Sequence, residues 1–303
     1  MTGTTSSLHT LLRSIRPPFL LLTLVCIFLG YSAAVQAVTY IDYFQLWMVI
    51  VAGTAAHICV NALNEYLDFR SGLDAYTIKT PFSGGSGALV ENPRAAPAVF
   101  YVAVAALSSL AFSGIYLCYR HGLQLLPLGL LGILIILSYT PWLNRQPLLC
   151  LVAPGIAFGP LMVVGTYMVL TGAYATLPIY LSLVPFFLVN NLLLLNQVPD
   201  ITADQRVGRR HVPIAYGVKT ALRIYGLFAA ASCIVIIAGT ITGILTIFAL
   251  LSLLPMLAAA AAFSGTAKHA TAADKLTPYL ALNVLATLLT PALLGLAVIL
   301  DVP

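Results

Sequence analysis

The chain has 303 residues, of which 60% are apolar and only 8% are charged. Soluble proteins carry roughly 25% charged residues, so this chain has too few charges to cover a water-facing surface. The composition therefore predicts a protein that lies in a bilayer, with membrane lipid as its immediate surroundings. The net charge of +5 does not indicate a nucleic-acid partner, because the basic residues are scattered along the chain.

Apolar segments of the length needed to cross the hydrocarbon core as helices occur along the whole chain. There are nine, at about residues 18–38, 44–64, 96–118, 123–140, 147–170, 176–197, 220–241, 244–264 and 277–300. We therefore expect an all-α fold, a polytopic membrane protein with nine transmembrane helices. We expect residues 1–303 to form a single transmembrane domain.

The positions of lysine and arginine predict the orientation, because cytoplasmic loops are enriched in both. With the N-terminus in the cytoplasm, 13 of the 14 basic residues fall inside and only Arg120 falls outside. An odd number of spans then places the C-terminus outside. We expect an integral protein of the cell inner (plasma) membrane whose two long loops, about 65–95 and 198–219, are cytoplasmic.

Acidic residues concentrate in these two loops, which contain six of the nine in the chain. Each loop region carries one asparagine and two aspartates: Asn64, Asp68 and Asp74 in the first, and Asn196, Asp200 and Asp204 in the second. In both, the asparagine and the first aspartate are four residues apart, which places them on one face of a helix. The two pairs are separated by 132 residues. This register indicates a diverged internal repeat, roughly helices 1–4 and 5–8.

The local sequence predicts how each acidic segment is shaped. The spacing of four continues from Asn196 through Asp200 to Asp204, so these three side chains would share one helix face, with Pro199 bending the helix end. In the first segment we expect Gly72 to end the helix and let the following aspartate fold back.

The residue types in the two clusters indicate a divalent cation. Carboxylates held close together repel one another unless a cation lies between them. Oxygen ligands without histidine or cysteine suit Mg²⁺, which completes its shell with waters and substrate phosphates. Basic side chains that suit phosphate oxygens are close in sequence: Arg70, Lys79, Arg209 and Arg210. The glycine-rich stretch 80–87 is placed to offer backbone N–H groups to the same anion.

Each of these features has a plainer explanation when it is taken alone. A single aspartate in a loop is usually solvated, and a glycine-rich loop is weak support for any ligand. Two Asn-x-x-x-Asp clusters in register favour a binding site, because acids at the ends of membrane helices are costly. An ion-coupled transporter is the alternative from another class, although its acids would be expected near the bilayer midplane. An alcohol phosphotransferase also uses paired aspartates, but its Asp-Gly-x-x-Ala-Arg signature is absent.

At these clusters the sequence resembles the UbiA superfamily of intramembrane prenyltransferases, and the likeness runs along most of the chain. That family has nine helices, with aspartate-rich motifs after helices 2 and 6. Several stretches are most similar to the 1,4-dihydroxy-2-naphthoate (menaquinone-pathway) branch: Arg16-Pro17, Asn61–Asp74, Thr80–Gly87, Tyr139-Thr140-Pro141 and Gly159–Tyr167.

The resemblance implies a UbiA-type bundle with a central cavity in which a prenyl group is transferred. Mg²⁺ bound by Asp68, Asp74, Asp200 and Asp204 would hold a polyprenyl diphosphate, with Asn64 and Asn196 assisting. The prenyl group would pass to an aromatic small-molecule acceptor. Catalysis would rest on Asp68, Asp200 and Tyr139, whose ring would shelter an allylic cation. The implied acceptor is 1,4-dihydroxy-2-naphthoate, and the alternatives within the family are 4-hydroxybenzoate, haem, a tetrapyrrole or a lipid head group.

The sequence also departs from the family pattern. Glu65 stands where an aspartate is common, and Arg209-Arg210-His211 replaces a stretch that usually contains lysine. The start of helix 5, from Pro147 to Ala153, lacks the acidic residue expected of the quinone-pathway members. These departures bear on the acceptor more than on binding of Mg²⁺ and diphosphate.

Overall fold

All regular structure in the described part of the protein is helical. The computed structural model describes residues 7–77, 85–270 and 272–301. We number the nine apolar helices α1 Pro17–Ala37, α2 Tyr43–Ser71, α3 Ala96–His121, α4 Leu126–Tyr139, α5 Pro147–Thr171, α6 Thr176–Asn196, α7 Val212–Ile241, α8 Met256–His269 and α9 Thr277–Ile299. The predicted all-α fold is confirmed. Among the described residues, eight helices are long and apolar enough to cross a membrane, and Leu123–Tyr139 is a shorter apolar helix.

The helices form a bundle in which α6 is the most deeply buried span. Helix α6 packs against α5, α7 and α9, while α1 packs against α9 and α2 runs along α3. Short elements lie between the long ones or before them: Ser7–Ile15, the 3₁₀ turn Leu73–Ala75, Ala88–Glu91 and Ile201–Arg206. Two of these, Leu73–Ala75 and Ile201–Arg206, pack against each other, so the segments that follow α2 and α6 meet.

Several helix bounds differ from those predicted by hydropathy. Helix α2 continues to Ser71, beyond the expected end at residue 64, so Asn64 and Asp68 are part of the helix. Helix α5 contains a π-helical segment, Ala157–Val164, around Pro160, because proline has no N–H for the regular helical bond. Helix α7 starts at Val212 and contains Gly217 in a non-helical conformation. The eighth span begins as the 3₁₀ segment Ile247–Leu253.

The prediction of one helix face for Asn196, Asp200 and Asp204 is wrong. Helix α6 ends at Asn196, Asp200 lies in a turn, and a separate short helix starts at Ile201. Pro199 explains the break, since it cannot donate to the carbonyl one turn earlier and its ring crowds that turn. The chain therefore turns, and Val198 donates instead to the Leu195 carbonyl at 3.0 Å.

A C-terminal alkaline phosphatase fusion tests the predicted orientation, because this reporter is active only outside the cytoplasm. With nine spans and an inner N-terminus, we expect the fusion after Pro303 to be active. A matched fusion after Arg206, in the second acidic segment, is expected to be inactive. An inactive C-terminal fusion together with an active fusion after Arg206 would reverse the orientation.

Candidate active site

The first acidic segment is formed by the end of α2 and the turn after it. Asn64 and Asp68 lie one helical turn apart, and the Asn64 side chain donates to the Thr140 hydroxyl at 3.1 Å. Gly72 ends the helix with φ of +76°, a conformation that glycine adopts without steric cost. The turn Leu73–Ala75 then buries Asp74, as expected from the sequence.

The second acidic segment brings three polar side chains into the interior beside the first. Asn196 is the last residue of α6, Asp200 precedes the short helix Ile201–Arg206, and Asp204 lies within that helix. All three are buried. The Arg206 guanidinium lies 4.8 Å from the centre of the Tyr76 ring, which adds a cation–π contact between the two segments.

Arg209 connects the two segments directly. Its guanidinium pairs with Oδ1 of Asp68 through one nitrogen and lies 3.0 Å from Oδ1 of Asp204 through the other. Burial opposes the charge of Arg209, but the adjacent carboxylates outweigh burial and raise the pKa of the guanidinium above its ordinary value. The second oxygen of Asp204 lies 2.9 Å from Nε2 of buried His211. A buried ion-pair network thus joins residues that are 141 positions apart.

The remaining predicted residues occupy three kinds of position. Tyr139 ends α4 and lines the cavity, with its hydroxyl 3.9 Å from Sγ of Cys150. The side chains of Arg70 and Arg210 are exposed on the same end of the bundle. The backbone N–H of Arg210 donates to the Asn144 carbonyl at 2.9 Å. Lys79 lies outside the described residues, as do residues 80–84 of the glycine-rich stretch.

A large apolar cavity of about 890 Å³ opens next to the acidic segments. Side chains from α1 to α6 and from α9 line it. Among the described residues, only a few side chains with nitrogen or oxygen atoms line it: Arg16, His57, Asn61, Asn64, Tyr139, Thr166 and Asn196. Because Asn64 and Asn196 belong to the two acidic segments, the cavity places an apolar ligand directly beside the carboxylates.

Several polar contacts at this site were not evident from the sequence. Arg16 lines the cavity from a left-handed backbone conformation, with φ of +55°, and its guanidinium lies 4.4 Å from the centre of the Phe19 ring. His57 is held by the Thr23 hydroxyl, 2.8 Å from its Nδ1. The contact between His211 and Asp204 joins the residue before α7 to the short helix Ile201–Arg206, seven positions earlier. Two of these residues belong to stretches that the sequence analysis singled out, Arg16 in Arg16-Pro17 and His211 in Arg209-Arg210-His211.

The donor atoms of the site fit a hard divalent cation. Buried oxygens of Asp68 (Oδ2) and Asn196 (Oδ1) accept no hydrogen bond within the described part of the chain. Such oxygens are costly unless a cation or water occupies the space beside them. Over the same residues, no three His, Cys, Asp or Glu side chains are close enough to share one ion. Arg209 contacts two of the carboxylates, Asp68 and Asp204.

The comparison with known proteins identifies the family. The model of the UbiA prenyltransferase family matches residues 23–285. The chain belongs to this family. It is therefore a membrane-embedded prenyltransferase. The chain is 27% identical over 234 residues to the 1,4-dihydroxy-2-naphthoate octaprenyltransferase of Bacillus subtilis (strain 168), covering 75% of this chain and 72% of that protein.

Solved structures of UbiA homologues share the fold. The apo homologue from Aeropyrum pernix K1 is 19% identical, with a TM-score of 0.70 over 94% of this chain and 98% of that one. A homologue from Archaeoglobus fulgidus bound to DMAPP and Mg²⁺ is 16% identical, with a TM-score of 0.62 over 96% of this chain and 99% of that one. At these identities the likeness shows that the UbiA fold is shared.

Replacing Asp68 by asparagine removes one negative charge from the network while keeping the side-chain shape. We expect Asp68→Asn to reduce prenyltransferase activity by about 100-fold or more, since the partner of Arg209 and the metal ligand expected from the sequence are the same carboxylate. The control is Asp42→Asn at the other end of α2, where the side chain caps the helix by accepting from Phe44 and Gln45. Asparagine is also a good N-cap, so this control is expected to stay active.

Turnover by purified, detergent-solubilised protein is the measurement, with monodispersity as the check on folding. Near-normal turnover of Asp68→Asn would remove Asp68 from the site.

Proposed function

We propose that this prenyltransferase transfers a polyprenyl group from its diphosphate to an aromatic acceptor in an Mg²⁺-dependent reaction. The acceptor that we propose is 1,4-dihydroxy-2-naphthoate, as in menaquinone biosynthesis. The observation that carries the proposal is the meeting of two buried acidic segments at the mouth of a large apolar cavity. This arrangement suits a substrate with a strongly anionic head and a long hydrocarbon tail.

Charge balance supports binding of a cation–diphosphate complex. Asp68, Asp74, Asp200 and Asp204 are all buried, and Arg209 pairs with two of them. Carboxylates that are buried close to one another favour uptake of a cation. These aspartates would hold Mg²⁺, whose positive charge would stabilise the negative charge that grows on the diphosphate leaving group.

Arg209 would then have a second role. Its guanidinium presents paired N–H donors, which match phosphate oxygens as well as carboxylates. Once the carboxylates bind the cation, we propose that this guanidinium turns to the diphosphate. Asn64 and Asn196 lie at the boundary of the cavity, where their amides can orient the head of the donor. Arg70, Lys79 and Arg210 are proposed to contact the outer phosphate oxygens.

The apolar cavity provides the remainder of the site. A prenyl chain bound there would have its first carbon near Asn64 and Asn196 and its tail along the apolar lining. Tyr139 lies at this boundary, where the face of its ring can stabilise an allylic cation as the C–O bond breaks. The surrounding apolar side chains exclude water, which would otherwise capture that cation. The electron-rich ring carbon of the acceptor then forms the new C–C bond, and the diphosphate is the leaving group of the donor. The ring becomes aromatic again when the attacked carbon loses its own substituent, either a proton or a carboxyl group released as CO₂.

Two findings support the proposed acceptor and the proposed prenyl diphosphate donor with Mg²⁺. The relative from Bacillus subtilis acts on 1,4-dihydroxy-2-naphthoate, according to its name. A structural neighbour binds DMAPP together with Mg²⁺. The same acceptor is implied by the sequence stretches that resemble the menaquinone-pathway branch.

A competition assay with several acceptors tests the proposal. Purified protein is incubated with Mg²⁺, octaprenyl diphosphate and equal amounts of 1,4-dihydroxy-2-naphthoate and 4-hydroxybenzoate, and the products are identified by mass spectrometry. We expect prenylated naphthoate to exceed prenylated hydroxybenzoate by about 100-fold, which corresponds to roughly 3 kcal/mol of transition-state discrimination. EDTA is expected to abolish both products. Preferential prenylation of hydroxybenzoate would refute the proposed acceptor.

A further inference from the structure

Glu65 is the residue beside Asn64 on α2, and its side chain forms hydrogen bonds with the segment at residues 86–88. It is buried, and both of its carboxylate oxygens accept hydrogen bonds from the segment that precedes α3. Oε2 accepts from the Ser86 backbone N–H at 2.7 Å, and Oε1 accepts from the Ser86 hydroxyl at 2.7 Å and the Ala88 N–H at 3.1 Å. A carboxylate with three such donors is fixed in place.

The same segment is held from its other side by the N-terminal helix Ser7–Ile15. Arg13 of that helix donates to the Ser86 carbonyl at 2.8 Å and pairs with Glu91. Ser86 is thereby bound through its N–H, its hydroxyl and its carbonyl. The chain at residues 86–88 consequently has a defined position relative to α2, even though it belongs to a loop region.

Gly85, the residue before Ser86, connects this segment to the acidic site. Gly85 lies so close to Asp74 that a Cβ at position 85 would be 2.2 Å from Oδ1 of that aspartate. Carbon and oxygen atoms that are not bonded to each other do not approach so closely. The Asp74 carboxylate therefore fits in this position only because residue 85 has no side chain. The backbone at Gly85 therefore limits where the Asp74 carboxylate can lie.

We propose that Glu65 is a positioning residue that holds Asp74 in the geometry needed to bind Mg²⁺, acting through Ser86 and Gly85. The inference rests on the proposed metal role of Asp74. An aspartate in place of Glu65 would be shorter by one C–C bond of about 1.5 Å, and hydrogen bonds of this kind are lost once the donor and acceptor separate by that much.

The test measures metal binding without turnover. The melting temperature of detergent-purified protein is recorded against Mg²⁺ concentration in the presence of inorganic pyrophosphate, because a ligand of the native state raises it. Residues that orient a metal ligand typically contribute 10- to 100-fold to metal affinity, so we expect Glu65→Asp to raise the Mg²⁺ midpoint by about 10-fold. Gly85→Ala is expected to raise the Mg²⁺ midpoint to a similar extent, because its Cβ would displace the Asp74 carboxylate.

Three further variants make the result specific. Asp74→Asn is expected to raise the midpoint at least as far as Glu65→Asp. The double variant Glu65→Asp/Asp74→Asn is expected to match Asp74→Asn alone, because residues that act through one group are not additive. The matched control is Gly226→Ala in α7, where a Cβ meets only Phe263 at 3.8 Å, and its midpoint is expected to equal that of the wild type.

The outcomes separate this inference from the proposed function. If Asp74→Asn weakens Mg²⁺ binding while Glu65→Asp and Gly85→Ala bind as the wild type does, the positioning role is refuted and the metal site stands. An additive double variant also refutes it, because Glu65 would then act by a route other than Asp74. If Asp74→Asn itself leaves the midpoint unchanged, Asp74 is not a ligand, and that part of the proposed function fails together with the inference.

Discussion

The ion-pair network around Arg209 is the interaction on which the geometry of the site depends. One guanidinium contacts Asp68 at the end of α2 and Asp204 in the short helix after α6. Each carboxylate would be costly to bury alone, and two of them side by side would repel. Shared pairing with Arg209 and the His211 contact to Asp204 offset that cost and hold the two segments together. The pairing also keeps these carboxylates in position for a ligand of higher charge.

The membrane environment explains why such a site lies at the ends of the helices and not along them. Backbone groups within the bilayer are satisfied inside each helix, so the long apolar spans form a scaffold with few polar functions. Polar side chains accumulate where α2 and α6 end, and the apolar cavity begins there. A substrate with a charged head and a hydrocarbon tail can lie across this boundary. The scaffold thus determines which end of such a substrate meets the carboxylates.

Much of the fold and part of the site could be predicted from local sequence. The lengths of the apolar segments located the membrane spans. The spacing of Asn64 and Asp68 predicted a shared helix face, and this prediction is correct because α2 is regular through Ser71. The same argument failed for Asn196, Asp200 and Asp204, where Pro199 ends the regular bonding that the spacing assumes.

Other features depend on contacts between distant parts of the chain. Arg209 and Asp68 are 141 residues apart, and Glu65 binds Ser86 across a loop. No local pattern encodes these distances, because they depend on how the helices pack. The sequence could therefore place Arg209 near the acidic clusters but could not show that it bridges them, and it gave Glu65 no role.

A crystal structure with Mn²⁺ in place of Mg²⁺ and an unreactive thiolo analogue of the prenyl diphosphate tests whether the aspartates bind the metal and Arg209 binds the diphosphate. Mn²⁺ has similar oxygen ligands and scatters X-rays anomalously, so its position can be identified without ambiguity. We expect anomalous density between the two acidic segments, with Asp68 and Asp200 as ligands and the Arg209 guanidinium on the diphosphate. An analogue bound elsewhere, with the pair between Arg209 and Asp68 intact and no metal at the carboxylates, would contradict this expectation.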